Sequence, residues 1–471
     1  MRPALLAAAI ASLALPQGSA PRLDSYLGEP LPFDGADRRA ARRVLASGAV
    51  AFLAPQSWSP WVEVRVAFRG GSFADPPGKE GLALLAGEAL VAGGTASRAP
   101  DALEKDLARL GAALDASIGE TDGTIVLRVS PDGLKPALAV LVDVLRNPAF
   151  EASELERAKR RLGARLAARE DSLPEIEERA WDRVLRGEHF TTRLPSPPSI
   201  AAIRPDDCRA FTSRFLFPRN LVLAARGAFD EAAALALFEE ALAGWANRET
   251  PMPIPPEVEA TPAPGVYLVD VGRAVATARV RVGFAGVRRE HADRPILDPL
   301  LDYEGGDLLP SRVDRVLRVD RALSWRPTAA IASGDLYRGD FSISAPVLAA
   351  DAVESARALI EELRRCGEER ATADAIAWLR QSRREREATA FASGAARAAR
   401  FARDEIVGAP AEAIAQDRAR LETLAPDDLI RAARRHLDPA KAIILVVGDG
   451  AALSRALPAW ESLGPVTRIA L

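Results

Sequence analysis

The stretch Gly81-Leu82-Ala83-Leu84-Leu85-Ala86-Gly87-Glu88-Ala89-Leu90 decides how the rest of the chain is interpreted. Gly70-Gly71-Ser72 precedes it and Gly93-Gly94-Thr95 follows it, and the run between is apolar enough for a buried helix. Gly87 lies inside this run, and a glycine in a helix interior costs about 1 kcal/mol relative to alanine. We therefore predict a buried helix in which packing offsets that cost.

Length and composition indicate an ordinary globular protein of two domains. The chain has 471 residues, of which 48% are apolar and 27% charged, and this excludes disorder and collagen-like structure. The net charge is −3 and no run of basic residues stands out, so we expect no nucleic-acid partner. No later stretch reaches the roughly 18 apolar residues of a transmembrane helix. Cys208 and Cys366 are far apart in sequence and are expected to be buried free thiols.

The N-terminus has the order of a secretory signal, because Arg2 precedes an apolar run and then Pro16-Gln17-Gly18-Ser19-Ala20. We predict a signal peptide at residues 1–20 and export to the periplasm or the medium. Pro21 would follow the cut, which fits cleavage poorly, so whether and where cleavage occurs stays open.

A proline-rich segment at residues 250–265 forbids a continuous helix or central strand, and we interpret it as a linker between domains at 21–249 and 266–471. The chain repeats itself across this segment. Pro205-Asp206-Asp207, followed by a helix and a strand ending at Gly227, recurs 221 residues later as Pro426-Asp427-Asp428 and a strand ending at Gly448. The sequence therefore predicts two copies of one plan.

Each copy alternates strands with long helices. Helices are predicted at 102–113, 133–146 and 151–171 in the first copy and at 349–365 and 371–400 in the second. Trp61 to Phe68 and Thr277 to Phe284 alternate as half-buried strands do. The predicted fold class is α+β, with two homologous α/β-sandwich half-domains, each a mixed sheet covered by helices.

This order of segments resembles the insulinase and pitrilysin-like zinc metallopeptidases, whose ligands lie on an inverted H-x-x-E-H helix. Matching Gly81-Leu82-Ala83 to the family's Gly-Leu-Ala places Leu84 and Glu88 at the two His positions and Gly87 at the general base. The third ligand then falls near Arg165 in a later helix. The resemblance covers nearly the whole chain beyond the signal.

The residues at these four positions cannot form the family's metal site. Leu84 has no lone pair, Gly87 has no side chain, and Arg165 repels a cation. A single carboxylate, Glu88, cannot hold zinc, so we expect no catalytic residue and no metal in this chain. An ion pair between Glu88 and Arg165 and two separately solvated side chains are both open.

The second half keeps more of the family pattern. Gly305-Gly306-Asp307-Leu308-Leu309-Pro310-Ser311-Arg312 resembles its glycine-rich segment, and the family then carries an Arg and, seven residues on, a Tyr that reach the substrate. Arg318 matches the first, and Trp325 replaces the second. The resemblance implies substrate-binding roles for both, although Trp325 is equally consistent with a core or interface aromatic.

The leading hypothesis is a non-catalytic subunit that binds unfolded peptide and completes the active site of a homologous zinc-bearing peptidase. The alternative is a stand-alone peptide- or protein-binding scaffold of the cell envelope. An active peptidase with a displaced metal site needs other ligands, and His189, His291 and His436 lie in separate segments, none with another His or Cys at ligand spacing. The peptide, and whether a homodimer replaces the heterodimer, are not given by the sequence.

Overall fold

The computed structural model describes residues 37–169, 172–249, 253–305, 311–332 and 334–470. The predicted signal peptide at 1–20 lies outside these residues, as do positions 250–252 of the predicted linker and 306–310 of the glycine-rich segment. Residues 253–264 form neither helix nor strand.

Twelve strands are described. They are β1 (Arg43–Val44), β2 (Val50–Pro55), β3 (Val62–Arg69), β4 (Ala113–Ile118), β5 (Asp122–Val129), β6 (Leu221–Gly227), β7 (Gly265–Asp270), β8 (Thr277–Ala285), β9 (Thr328–Ala332), β10 (Asp340–Leu348), β11 (Ile443–Gly448) and β12 (Val466–Ile469).

The α-helices of the described residues are α1 (Arg38–Ala41), α2 (Leu82–Ala92), α3 (Pro100–Arg109), α4 (Leu134–Arg146), α5 (Ala152–Arg169), α6 (Leu173–Arg186), α7 (Pro197–Ala202), α8 (Pro205–Phe215), α9 (Glu231–Leu242), α10 (Arg294–Glu304), α11 (Arg312–Asp314), α12 (Ala352–Cys366), α13 (Ala373–Ala390), α14 (Gly394–Ile406), α15 (Ala413–Glu422), α16 (Pro426–His436), α17 (Gly450–Arg455) and α18 (Leu457–Glu461). No helix in the described ranges combines the length and apolar character needed to cross a membrane.

The strands form two six-stranded mixed sheets that share the topology of five strands and differ at one edge, where β1 is antiparallel to β2 but β12 is parallel to β7. The first has the order β1-β2-β6-β3-β5-β4 and the second β12-β7-β11-β8-β10-β9. In both, one central pair is parallel, β2 with β6 and β7 with β11, and the strands that follow are antiparallel. The predicted fold class and the internal repeat are confirmed.

Each half lends one helix to the sheet of the other half. Helix α6 belongs to the first half but packs on β11 and β8 of the second sheet, whereas α14 of the second half packs on β2, β6 and β3 of the first. Buried residues on α6 recur at helical spacing: Ile176, Ala180, Trp181 and Leu185. Because β2 and β11 are buried on both faces, their strands are nearly continuous apolar runs. The exchanged helices therefore complete both sandwiches.

Two helix predictions were wrong, one at its end and one in its middle. The predicted helix 102–113 ends as α3 at Arg109, because Gly111 adopts the left-handed region with φ of 60° and starts the edge strand β4. The predicted helix 371–400 is two helices, α13 and α14, and the Ser393 hydroxyl accepts from the amide of Ala396 to cap the second.

Candidate functional site

Helix α2 is fixed at its first turn by the carboxylate of Asp75. Its two oxygens accept hydrogen bonds from the amides of Gly81 and Ala83, each at 2.9 Å. Gly81 has φ of 99°, a conformation that favours glycine at this entry to the helix. Burial raises the pKa of Asp75 to about 6, against the opposing effect of the amide hydrogen bonds. The helix is thus anchored by its own N-terminal amides.

Leu84 and Gly87 both lie at packing contacts of helix α2. The side chain of Leu84 packs against the main core of the first half. A Cβ placed on Gly87 would lie 2.7 Å from the amide nitrogen of Ile118 and 3.2 Å from the carbonyl carbon of Ser117. Because these are backbone atoms of the edge strand β4, the helix lies too close to β4 for a side chain at residue 87 without movement.

Glu88 is neutralised by two arginines of helix α5. Arg165 forms an ion pair with one carboxylate oxygen of Glu88, and Nε of Arg161 lies 3.6 Å from the other. The Glu88 side chain is 20% exposed, whereas both arginine side chains are about half exposed. Of the two possibilities open from the sequence, the ion pair is the one the structure contains.

These residues do not fit a zinc ion. The structure places Leu84, Gly87, Glu88 and Arg165 together, as the family alignment requires, but one carboxylate among them is the sole donor, and two guanidiniums already compensate its charge. Zinc in proteins takes three or four nitrogen, sulfur or oxygen ligands. The arrangement cannot bind the metal, and residue 87 cannot activate a water molecule.

A similar ion pair joins helices α13 and α10 of the second half. Arg386 stands 13 residues after the first residue of the 18-residue helix α13, as Arg165 does in α5. Arg386 pairs with Asp302 of α10, and Arg383 joins the same carboxylate at 2.6 Å. Both halves therefore hold an arginine against a carboxylate of an earlier helix, although Glu88 is the seventh residue of α2 and Asp302 the ninth of α10.

Arg318 and Trp325 lie on the surface of the second half. Arg318 is in a π-helical segment, Arg315–Asp320, and its Nε donates to Oδ1 of Asp314 at 2.8 Å. Trp325 is 62% exposed, so the core interpretation of this residue is wrong. Ser324 donates to the carbonyl of Pro346 at 2.8 Å and thereby fixes the chain just before Trp325. Within the described residues, neither side chain pairs with Glu88 or Arg165.

The histidines behave differently from the sequence expectation. His189 is structural: its ring is buried between Thr191 and the carbonyl of Pro256, at 3.0 and 2.9 Å, and burial lowers its pKa. His291 and His436, expected to be unrelated, have ring centroids 5.3 Å apart. Their proximity depends on how α10 meets α16, which no local sequence signal reveals.

Two α/β sandwiches with matching strand order, and helix α2 packed on the edge strand β4, define the class of protein to which the chain belongs. The insulinase (peptidase family M16) model matches residues 52–190, and the model of the peptidase M16 inactive domain matches residues 202–382. Together the two models cover more than half of the chain. The chain belongs to the insulinase family.

Solved structures share this fold at low sequence identity. The M16 inactive domain from Pseudomonas fluorescens is 20% identical with a TM-score of 0.75, over 87% of this chain and 97% of that one. A protease from Helicobacter pylori is 18% identical with a TM-score of 0.73, over 86% and 98%. The periplasmic protease PqqL from Escherichia coli is 14% identical with a TM-score of 0.71, and the match covers 91% of this chain but 51% of PqqL. No curated protein sequence matches the chain.

Proposed function

We propose that this chain is a non-catalytic, exported member of the insulinase family that binds peptide and supplies Arg318 and Trp325 to the active site of a zinc-bearing homologous subunit. The observation that carries the proposal is the contrast between the halves. The metal position is filled by the Glu88–Arg165 ion pair, whereas Arg318 stays at the surface with its side chain 43% exposed. The catalytic zinc belongs to the partner.

The edge strand β4 supports peptide binding. It pairs with β5 on one side, and no other described strand pairs with its second side. An extended peptide can add to such an edge through main-chain hydrogen bonds. Because helix α2 packs directly against β4, a peptide bound there runs past the former metal position.

Arg318 suits a role in a partner's active site. Its guanidinium pairs with Asp314, four residues earlier, and its side chain is 43% exposed. A guanidinium donates charge-assisted hydrogen bonds to a peptide carbonyl or a developing oxyanion. The indole N–H of Trp325 supplies one further donor but no phenolic hydroxyl.

The test is reconstitution with a purified zinc-bearing homologue. Mixing should give a complex on a sizing column and peptide hydrolysis well above that of either protein alone. Arg318→Ala should reduce the assisted rate about tenfold or more without preventing assembly. Arg321→Ala is the matched control, because Arg321 is 42% exposed and also pairs with a carboxylate, Glu354. Absence of both complex and rate gain refutes the proposal, and equal rates for the two variants refute the role of Arg318.

A stand-alone envelope scaffold is the second candidate, and exposed tryptophans favour it. Trp58 and Trp61 are 80% and 55% exposed in the loop between β2 and β3, in addition to Trp325. Exposed aromatic side chains are enriched where proteins bind proteins. Affinity purification from the native source distinguishes the candidates, since a zinc-bearing homologue in stoichiometric amount supports the subunit and its absence supports the scaffold.

A further inference from the structure

A cluster of three metal-ligating side chains lies far in sequence from the emptied zinc position. One donor atom from each of His291, Asp293 and His436 can be chosen so that all lie within 4.8 Å of one another. The chain contains three histidines, and two of them meet here. We propose that this cluster is a binding site for a divalent transition-metal ion of the zinc type, formed by two imidazoles and one carboxylate.

The contacts within the cluster show which bonds a metal ion would replace. Nε2 of His436 lies 2.8 Å from Oδ2 of Asp293, and the amide of Asp293 donates to Nδ1 of His291 at 3.1 Å. Zinc–nitrogen and zinc–oxygen bonds of about 2.0–2.2 Å place tetrahedral ligand atoms roughly 3.3–3.5 Å apart. Closing separations of up to 4.8 Å to this value requires side-chain movements of about 1.4 Å, which would bring all three donors onto one ion. The ion takes the place of the proton shared by His436 and Asp293.

The helix ends around the cluster favour the charges of such a site. Asp293 immediately precedes α10, where the positive end of the helix dipole stabilises a carboxylate. His436 is the last residue of α16, where the negative end favours a cation. The carboxylate and His436 side chains are 19% and 15% exposed, so both are shielded, yet neither is inaccessible.

An ion can reach the cluster from the protein surface. His291 is exposed and lines a cavity of about 780 Å³ bounded by α10, α13, α14 and α15, so an ion can reach the cluster through this histidine, whereas Asp293 and His436 do not line the cavity. Eight arginines and six carboxylates line the cavity, and the positive charge in contact with the cluster itself is Arg435, whose Nη1 lies 2.9 Å from Oδ2 of Asp293. That side chain is 68% exposed and can turn to solvent when a metal ion binds.

The test is zinc titration of the full chain after chelator treatment, followed by calorimetry and by the visible absorption of the Co²⁺ form. One equivalent should bind to the wild type. His436→Ala and Asp293→Asn should each lower the affinity by about tenfold or more, since even outer partners of metal ligands change it by 10–100-fold. Arg435→Gln keeps all three donors and should bind as tightly as the wild type or several-fold more tightly.

Zinc should also raise the melting temperature of the wild type and of Arg435→Gln, and should raise it less in the variants that lack a donor, because the ion joins the loop before α10 to the end of α16. His291→Ala, a change in an exposed loop, gives the same information if His436→Ala does not fold. Binding that persists in the His291→Ala/His436→Ala double variant, or no stoichiometric binding by the wild type, overturns the proposal. This test is independent of peptide hydrolysis.

Discussion

Replacing Gly87 with alanine tests whether the packing of α2 against β4 leaves no room for a side chain at residue 87, the position that the family resemblance matches to the general base. The new Cβ would approach the amide nitrogen of Ile118 to 2.7 Å and its Cγ1 to 3.1 Å. The first of these atoms belongs to the backbone of β4 and cannot rotate away. The natural control is Gly163, which is also inside a helix, α5, but has open space where a Cβ would lie.

Two opposing effects set the magnitude. Alanine is favoured over glycine in a helix by about 1 kcal/mol, and this gain is available at both positions. Overpacking in a filled core costs about 1–3 kcal/mol, and it applies to residue 87 alone. We therefore expect Gly163→Ala to stabilise the chain by about 0.5–1 kcal/mol and Gly87→Ala to destabilise it by up to about 2 kcal/mol.

The measurement is urea denaturation of both variants and the wild type, followed by circular dichroism with the m-value monitored. A difference of about 1–3 kcal/mol between the two variants is expected. Equal stabilisation by both would mean that β4 yields readily to a side chain at residue 87. The explanation of this glycine by close packing would then be wrong.

Three further predictions follow from buried and paired groups. A double-mutant cycle with Glu88→Gln and Arg165→Ala should give a coupling free energy of about 0.5–1 kcal/mol, a low value because the Arg165 side chain is 54% exposed. The control pair Lys135–Glu240, in which both side chains are exposed, should give a coupling close to zero. Equal couplings for the two pairs would contradict the burial of Glu88 as the cause. Complete burial raises the pKa of Glu304 from 4.5 to about 7, so the folded chain holds a proton that the unfolded chain loses, and stability falls as pH rises through this window. Glu304→Gln should reduce the decline in the free energy of unfolding between pH 5 and pH 8 by about 2 kcal/mol, and an unchanged decline would refute this. Cys208 and Cys366 are both buried, and burial raises the pKa of the Cys208 thiol to about 12. Neither thiol should therefore react with a thiol reagent at pH 8 until the chain unfolds. Fast labelling of the native protein would contradict this packing.

The parts of the fold that the sequence predicts are those with local or repeated signals. Pro205 and Pro426 begin equivalent helices, and the strands that follow end at Gly227 and Gly448 as the repeat requires. The break between α13 and α14 was missed, although Ser172 stands before α6 at the matching place in the first half. A single serine cap is a weak signal inside a long helical pattern.

For the candidate site, the sequence predicts which ligand residues are absent but not which side chains contact one another. The missing donors at Leu84, Gly87 and Arg165 follow from residue chemistry, so the sequence suffices for them. The approach of β4 to Gly87 and the meeting of His291 with His436 depend on tertiary packing. Neither has a periodicity or a spacing that a sequence pattern can detect.

The exchange of α6 and α14 has a consequence for the history of the chain. A protein made of one half would leave an apolar sheet face bare unless a second copy lent its helix, which is the arrangement of a domain-swapped homodimer. Gene duplication and fusion of such a dimer would give the present chain with its swap preserved. Each half of the present chain therefore depends on the other half's helix to cover one face of its sheet.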